Sequence, residues 1–134
     1  MLCEHQQQYP HQRLVLLSGD IHIGCAHQIR WHSGSVLYQL ISSPITYETS
    51  ALVQVASKLL IRCNRSMAVG RKGPRGKVKL LKGEGDMARN PCGGLNLGLV
   101  EIETPDPQAP SKLRFYLYGH EGDEPVCRFR SALL

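Results

Sequence analysis

Aromatic residues are scarce in this chain: one Trp, two Phe and five Tyr. Its apolar content of 42% still suffices for a modest core. There is no Cys-x-x-Cys pair, and the five cysteines, at positions 3, 25, 63, 92 and 127, are odd in number. That argues against a zinc ribbon and against a disulfide framework, and leaves reduced, mostly buried thiols as the expectation. No run approaches eighteen apolar residues, so the sequence predicts no membrane-spanning helix and no membrane partner. The first residues, Met-Leu-Cys-Glu-His-Gln-Gln-Gln, lack a basic region followed by an apolar one, so they do not form a secretory signal, and the expected location is cytoplasmic. Without such a signal, the sequon Asn64-Arg65-Ser66 means little. No internal repeat is present.

What is there begins with Arg13-Leu14-Val15-Leu16-Leu17-Ser18-Gly19-Asp20-Ile21-His22. A short apolar run followed by a turn signal reads as a buried strand, parallel and covered on both faces. In α/β sheets, ligands bind outside the carboxyl ends of such strands. Here that end carries a carboxylate and an imidazole two residues apart, which project to one side of an extended chain. Gly19 permits a sharp turn before them. Asp20 and His22 are therefore a candidate pair of metal ligands, an oxygen and a nitrogen of the kind that Zn²⁺, Mn²⁺ or Fe accept. The competing reading is a strand-end turn in which Asp20 caps a backbone N–H and His22 is solvated.

The chain has 134 residues, a size for one domain or part of one. Residues 1–12 are polar and rich in Gln and His, and read as a loose terminus. Residues 14–17 form the first strand. Residues 24–31 read as a second, with Cys25, His27 and Ile29 on one side. Residues 32–35 are a turn, and 36–42 a third strand that ends before Pro44. Residues 48–62 are the best helix, with Ala51, Leu52, Val55, Leu59 and Leu60 in a 3.6-residue stripe that is expected to cover the sheet. Residues 64–91 are rich in Gly and read as a basic, insertion-like loop, except for a short exposed strand at 77–82. Residues 95–104 and 111–119 alternate as an antiparallel pair, the second placing Leu113, Phe115 and Leu117 on one face. Residues 126–129 are a last strand, and Trp31 is expected in the core.

Two blocks carry a resemblance: Leu-Ser-Gly-Asp-Ile-His-Ile-Gly-Cys-Ala-His at 17–27 and Tyr-Gln-Leu-Ile-Ser-Ser-Pro-Ile-Thr at 38–46. The stretch 13–62 resembles the carboxyl-terminal part of a PhoD-like metallophosphatase, within the calcineurin-like metallophosphoesterase superfamily. The resemblance implies an α/β (α+β) fold class: the back half of a metallophosphoesterase-type β-sandwich flanked by helices, mostly strands with one main helix, over 13–134. It implies a metal-ligand role for His22 and a ligand or supporting role for Asp20. Mn, Zn, Fe or Ca is the expected metal, and a phosphate ester the expected substrate. His27 is a candidate for phosphate contact or for support of the ligands.

The superfamily's earlier motifs, which supply the bridging carboxylate, most other ligands and a histidine for the leaving group, are not matched. Twelve residues precede Arg13 and hold none of them. Gly83–Asp86 and Gly119–Asp123 contain similar letters in the wrong order, and read as polar turns. The expectation is a partial phosphoesterase, weak or inactive alone, which another chain supplying the front half could complete.

The alternative is a basic binding module. Arg62, Arg65, Arg71, Lys72, Arg75, Lys77, Lys79 and Lys82 fall in one stretch with no acid among them, in a chain of formal charge +5. Such arms contact nucleic-acid phosphates or acidic partners nonspecifically. The stretch has no aromatic residue on which bases would stack. A solvated loop is the plainer reading of it, and a fragment without independent role is a third reading of the whole chain.

Overall fold

The computed structural model describes residues 2–19, 23–42, 50–53, 55–56, 59, 66–68, 75–106 and 109–134. Helix α1 spans Leu2–Gln8. Ten strands follow: β1 (Leu14–Ser18), β2 (Ile23–Trp31), β3 (Val36–Ile41), β4 (Ser66–Ala68), β5 (Arg75–Leu80), β6 (Gly83–Ala88), β7 (Cys92–Gly93), β8 (Leu97–Glu103), β9 (Lys112–Glu121) and β10 (Glu124–Ser131). They make two sheets. The first runs β1-β3-β2-β5-β4, with β7 also paired to β2, and the second runs β6-β10-β9-β8. The chain is a strand-rich α+β protein.

In the first sheet β1 and β3 are parallel, with Leu14 opposite Leu37 and Ser18 opposite Ile41. Every other pairing is antiparallel. Strand β2 lies at the centre. Its alternation sends Ala26 toward the second sheet, where it joins Leu40, Cys92, Phe115, Leu117 and Phe129 in the main core. The opposite face carries Ile29, Trp31 and Leu37, packed with Leu14, Leu16, Val78 and Cys3 of α1. With so few rings, Phe115 and Phe129 matter greatly: both are fully buried, and Tyr38 meets Phe115 edge-on at 6.3 Å between centroids.

The second sheet is a meander on the side of β9. Leu113, Phe115 and Leu117 face the core as their alternation predicts. The outward positions fix the register: Glu101 stands opposite Arg114 and Glu103 opposite Lys112. Opposite charges across a strand pair favour that alignment over a slip. The Tyr116 hydroxyl adds a 2.6 Å hydrogen bond to Glu101.

Four sequence expectations need correction. The 1–12 terminus is not loose, because Leu2–Gln8 is helical and Gln6 is buried, its side-chain N–H donating to the Val36 carbonyl. The 64–91 stretch holds the expected strand as β5, Arg75–Leu80, but among its described residues also β4 and β6, so Gly83–Asp86 is strand rather than turn. Its many glycines hid strands whose backbones pair with β5 and β10. Strand β1 is parallel as expected but lies at the sheet edge, and Leu17 is 67% exposed. The expected 48–62 helix is partly outside the described residues. Positions 51–53, 55–56 and 59 are helical, yet Leu52, Val53, Val55 and Leu59 are exposed rather than packed on the sheet.

Between its pairings with β7 and β5, β2 keeps a backbone bond at the Ala26 carbonyl, which accepts from the Leu81 N–H at 2.9 Å, but leaves the Ala26 N–H without a backbone partner on that edge. The Asn90 side chain takes that place: its Oδ1 accepts from the Ala26 N–H at 3.1 Å, and its Nδ2 donates to the Ala26 and Leu81 carbonyls at 2.7 and 2.9 Å. The Asn90–Pro91 peptide is cis, and Pro91 is buried. Asn90→Ala strands the fully buried Ala26 N–H. A buried donor without a partner costs about 1–3 kcal/mol, so the urea midpoint of this variant falls by that equivalent. An unchanged midpoint would show that water replaces the carboxamide.

Candidate functional site

The carboxyl ends of β1 and β3 lie side by side, because the two strands are parallel and in register to Ser18 and Ile41. The Ser42 N–H donates to the Ser18 carbonyl at 3.1 Å, continuing the ladder one residue past the strand. The Gln39 amide donates to the Ser18 hydroxyl oxygen at 3.2 Å on the face that carries Ile41 and Cys25, opposite the one that meets the second sheet. Gly19 follows, then Asp20.

A cleft of about 390 Å³ opens at this end between the two sheets, lined by Leu17, Ser18, Leu40, Ser42, Gly98, Leu99 and Val100. Both β1 and β8 are edge strands, so the sandwich is open here. Gly98 sets its width: an added methyl would sit 3.2 Å from Leu40 Cδ2 and 3.3 Å from Ser42 Cβ, tighter than ordinary packing. The walls are apolar, with two serines at the strand ends.

Asp20 and His22 lie outside the described residues. The flanking chain is fixed, however, since β1 ends at Ser18 and β2 begins at Ile23. Strand β2 is anchored there by pairing of Ile23 with Gly93 and Gly24 with Cys92. Gly24 admits no side chain, because a methyl at that position would collide with the Asn96 carboxamide. Asn96 is itself buried and donates to the Gly94 carbonyl at 2.9 Å. The residues on either side of the motif are thus held.

His27 is on β2, opposite Gln39 on one side and Leu80 on the other. It stands one same-face position in from the row Ser18–Ile41–Cys25 that closes the strand ends. The residue is 8% exposed, and its Nδ1 has no hydrogen-bond partner among the described residues. Burial holds its pKa below the usual value for histidine, so the ring is neutral at neutral pH. Cys25 is fully buried, and desolvation pushes its thiol up to about 12, which rules out a thiolate nucleophile at this end. His32 is exposed in the 32–35 turn, and His5 and His120 are also exposed.

Sequence reasoning missed the contribution of β8 and the role of Asn90. A glycine at 98 within an alternating strand signals close backbone approach, and could have pointed to the first. Nothing in the letters around Asn90 announces that its side chain substitutes for a strand. Comparison with known proteins gives no match, whether to a family model, a curated protein or a solved structure.

The buried neutral His27 has a pH consequence. Its folded pKa lies below the 6.5 of the free group, so the unfolded chain binds the proton more readily. The contribution to stability is complete above that pH and is lost as pH falls through the window beneath it. In urea unfolding across that window, wild type loses stability on acidification relative to His27→Leu. Parallel curves for the two proteins would show that the ring is not held neutral.

Proposed function

We propose that this chain carries the carboxyl-terminal part of a PhoD-like, metal-dependent phosphoesterase site, and that its ligand is a phosphate ester received at the shared carboxyl ends of β1 and β3. The observation that carries the reading is the cleft at those ends, immediately before Gly19-Asp20-Ile21-His22. Crevices outside the carboxyl ends of parallel strands are where open sheets bind ligands. Ser42 borders the cleft beside Gly98 and offers a hydroxyl there, and the Leu17, Leu40 and Val100 walls suit the organic part of an ester.

The family's metals would need more donors than the described residues supply. Among them no group of three or more His, Cys, Asp or Glu side chains is gathered. Asp20 and His22 make two, whereas catalytic zinc is held by three protein ligands. His27 is buried on β2 as a neutral imidazole, on the sheet face opposite Ala26. The donor set does not fit a complete metal centre, so no hydrolytic step is assigned to this chain alone. A partner chain carrying further carboxylates and imidazoles would complete it by adding at the open β1 and β8 edges. Among the described residues no helix is long and apolar enough to cross a membrane, which says nothing of β-barrels.

Calorimetry with Mn²⁺ and Zn²⁺ on wild type, Asp20→Ala and His22→Ala tests this, beside hydrolysis of a generic phosphodiester. The expected result is weak binding that falls about tenfold or more in His22→Ala, with no turnover above background. Binding indifferent to both substitutions overturns the site. Metal-dependent turnover that disappears in His22→Ala overturns the inactivity.

A further inference from the structure

A second concave region lies at the other end of β2. Gln28, Arg30, Lys77 and Lys79 line a groove of about 300 Å³ on the sheet face that carries Ala26, beyond the part that the second sheet covers. The register builds it: Gln28 stands opposite Lys79 and Arg30 opposite Lys77. Ile29, Trp31 and Val78 alternate to the opposite face. Arg30, Lys77 and Lys79 are all exposed, and no carboxylate lines the groove. Among the described residues the ion pairs fall elsewhere, at Arg128–Glu121 and Arg130–Glu84.

Like charges directly opposite across a strand pair oppose folding, and Arg30 facing Lys77 is such a pair. A fold that keeps this arrangement gains nothing from it until an anion enters. Lys77 and Lys79 are about 6.6 Å apart along the strand, on one face of it. Arg30 lies across the ladder about 5 Å away. Leu40 of the β1–β3 cleft is opposite Ala26, so Gln28 and Arg30 lie two and four residues, about 7 and 13 Å, further along β2, on the β5 side of the sheet rather than the β1 side. It does not depend on the phosphoesterase reading.

We propose that this groove binds the phosphate backbone of single-stranded nucleic acid without base readout, Arg30, Lys77 and Lys79 each neutralising a phosphate and Gln28 donating a hydrogen bond beside them. Among the described residues that line the groove none is aromatic, and the neighbouring Tyr38 packs against the core, so phosphates rather than bases are recognised. Three cations so disposed suit an extended polyanion better than one compact phosphate, which requires donors converging on a point.

Anisotropy of a labelled oligothymidylate over a salt series tests it. Three proteins are compared: wild type, the triple variant Arg30→Gln/Lys77→Gln/Lys79→Gln, and a charge-matched control, Arg13→Gln/Arg89→Gln/Lys112→Gln, whose residues are exposed elsewhere. Each lost phosphate contact reduces the slope of log affinity against log salt by about 0.7. The groove variant is therefore expected to lose about 2 from the slope and at least about tenfold in affinity at low salt, with the control near wild type. Arg30→Glu supplies a variant whose fold is secure, since it turns a like-charge pair into an opposite one, and it too must bind more weakly. Equal losses in groove variant and control would overturn the proposal in favour of diffuse charge. So would absent or salt-insensitive binding by wild type, or Arg30→Glu binding as wild type. Competition by polyglutamate as effective as by oligothymidylate would overturn the nucleic-acid assignment in favour of an acidic polypeptide.

Discussion

The Asn90 carboxamide on the backbone of Ala26 is the contact on which the arrangement turns. Strand β2 serves three partners besides its own turn: β3 along one edge, and β7 and then β5 along the other. Strands cannot change partner on one edge without leaving backbone groups unmatched, and a buried unmatched amide is costly. Asn90 covers the break: it satisfies the Ala26 N–H, and adds a donor to the Ala26 carbonyl, which also accepts from the Leu81 N–H, and to the Leu81 carbonyl. Ala26 has no exposed surface, so water is not an alternative partner in the folded chain.

Two regions follow from that one strand. Its start is pinned by β7 and by the fit of Gly24 against Asn96. Its end runs out beyond the second sheet, so Gln28 and Arg30 emerge on a face that the hydrophobic core no longer covers. The apolar cleft beside β1 and the basic groove beside β5 are thus opposite ends of the same buried element. They differ in chemistry because the second sheet covers the first half of β2 and leaves the second half open.

Much of this was legible in the letters. The strands at 14–18, 23–31, 36–41, 97–103, 112–121 and 124–131 announced themselves by apolar runs or by alternation, and the β8–β9 pairing by two alternating runs with a proline-rich link. Within 64–91 the strand expected at 77–82 is present as β5, but β4 and β6 were not foreseen, because glycine and small polar residues at positions such as Gly83 and Gly85 carry little β preference. They are held by pairing with β5 and β10 rather than by propensity. Helix α1 was missed for the same reason, since its polar sequence gains its place by packing Cys3 and Gln6 on the Trp31 face and the β3 backbone. Of the candidate site, the strand end was visible as an apolar run ending in Ser-Gly-Asp. The cleft was not, because half of its wall comes from β8, some eighty residues later in the chain, through a contact that only tertiary packing creates.

The central claim is that the β1–β3 strand ends form a ligand-bearing site built around Asp20 and His22. Paramagnetic broadening of backbone amide signals by substoichiometric Mn²⁺ tests it most directly. The site predicts early loss of the Ser18, Gly19 and Ser42 amides, then of Gly98 across the cleft, while Arg30 and Lys77 at the far end of β2 stay sharp. Broadening centred instead on Glu101 and Glu103 of the second sheet, or spread evenly over the surface, would contradict it.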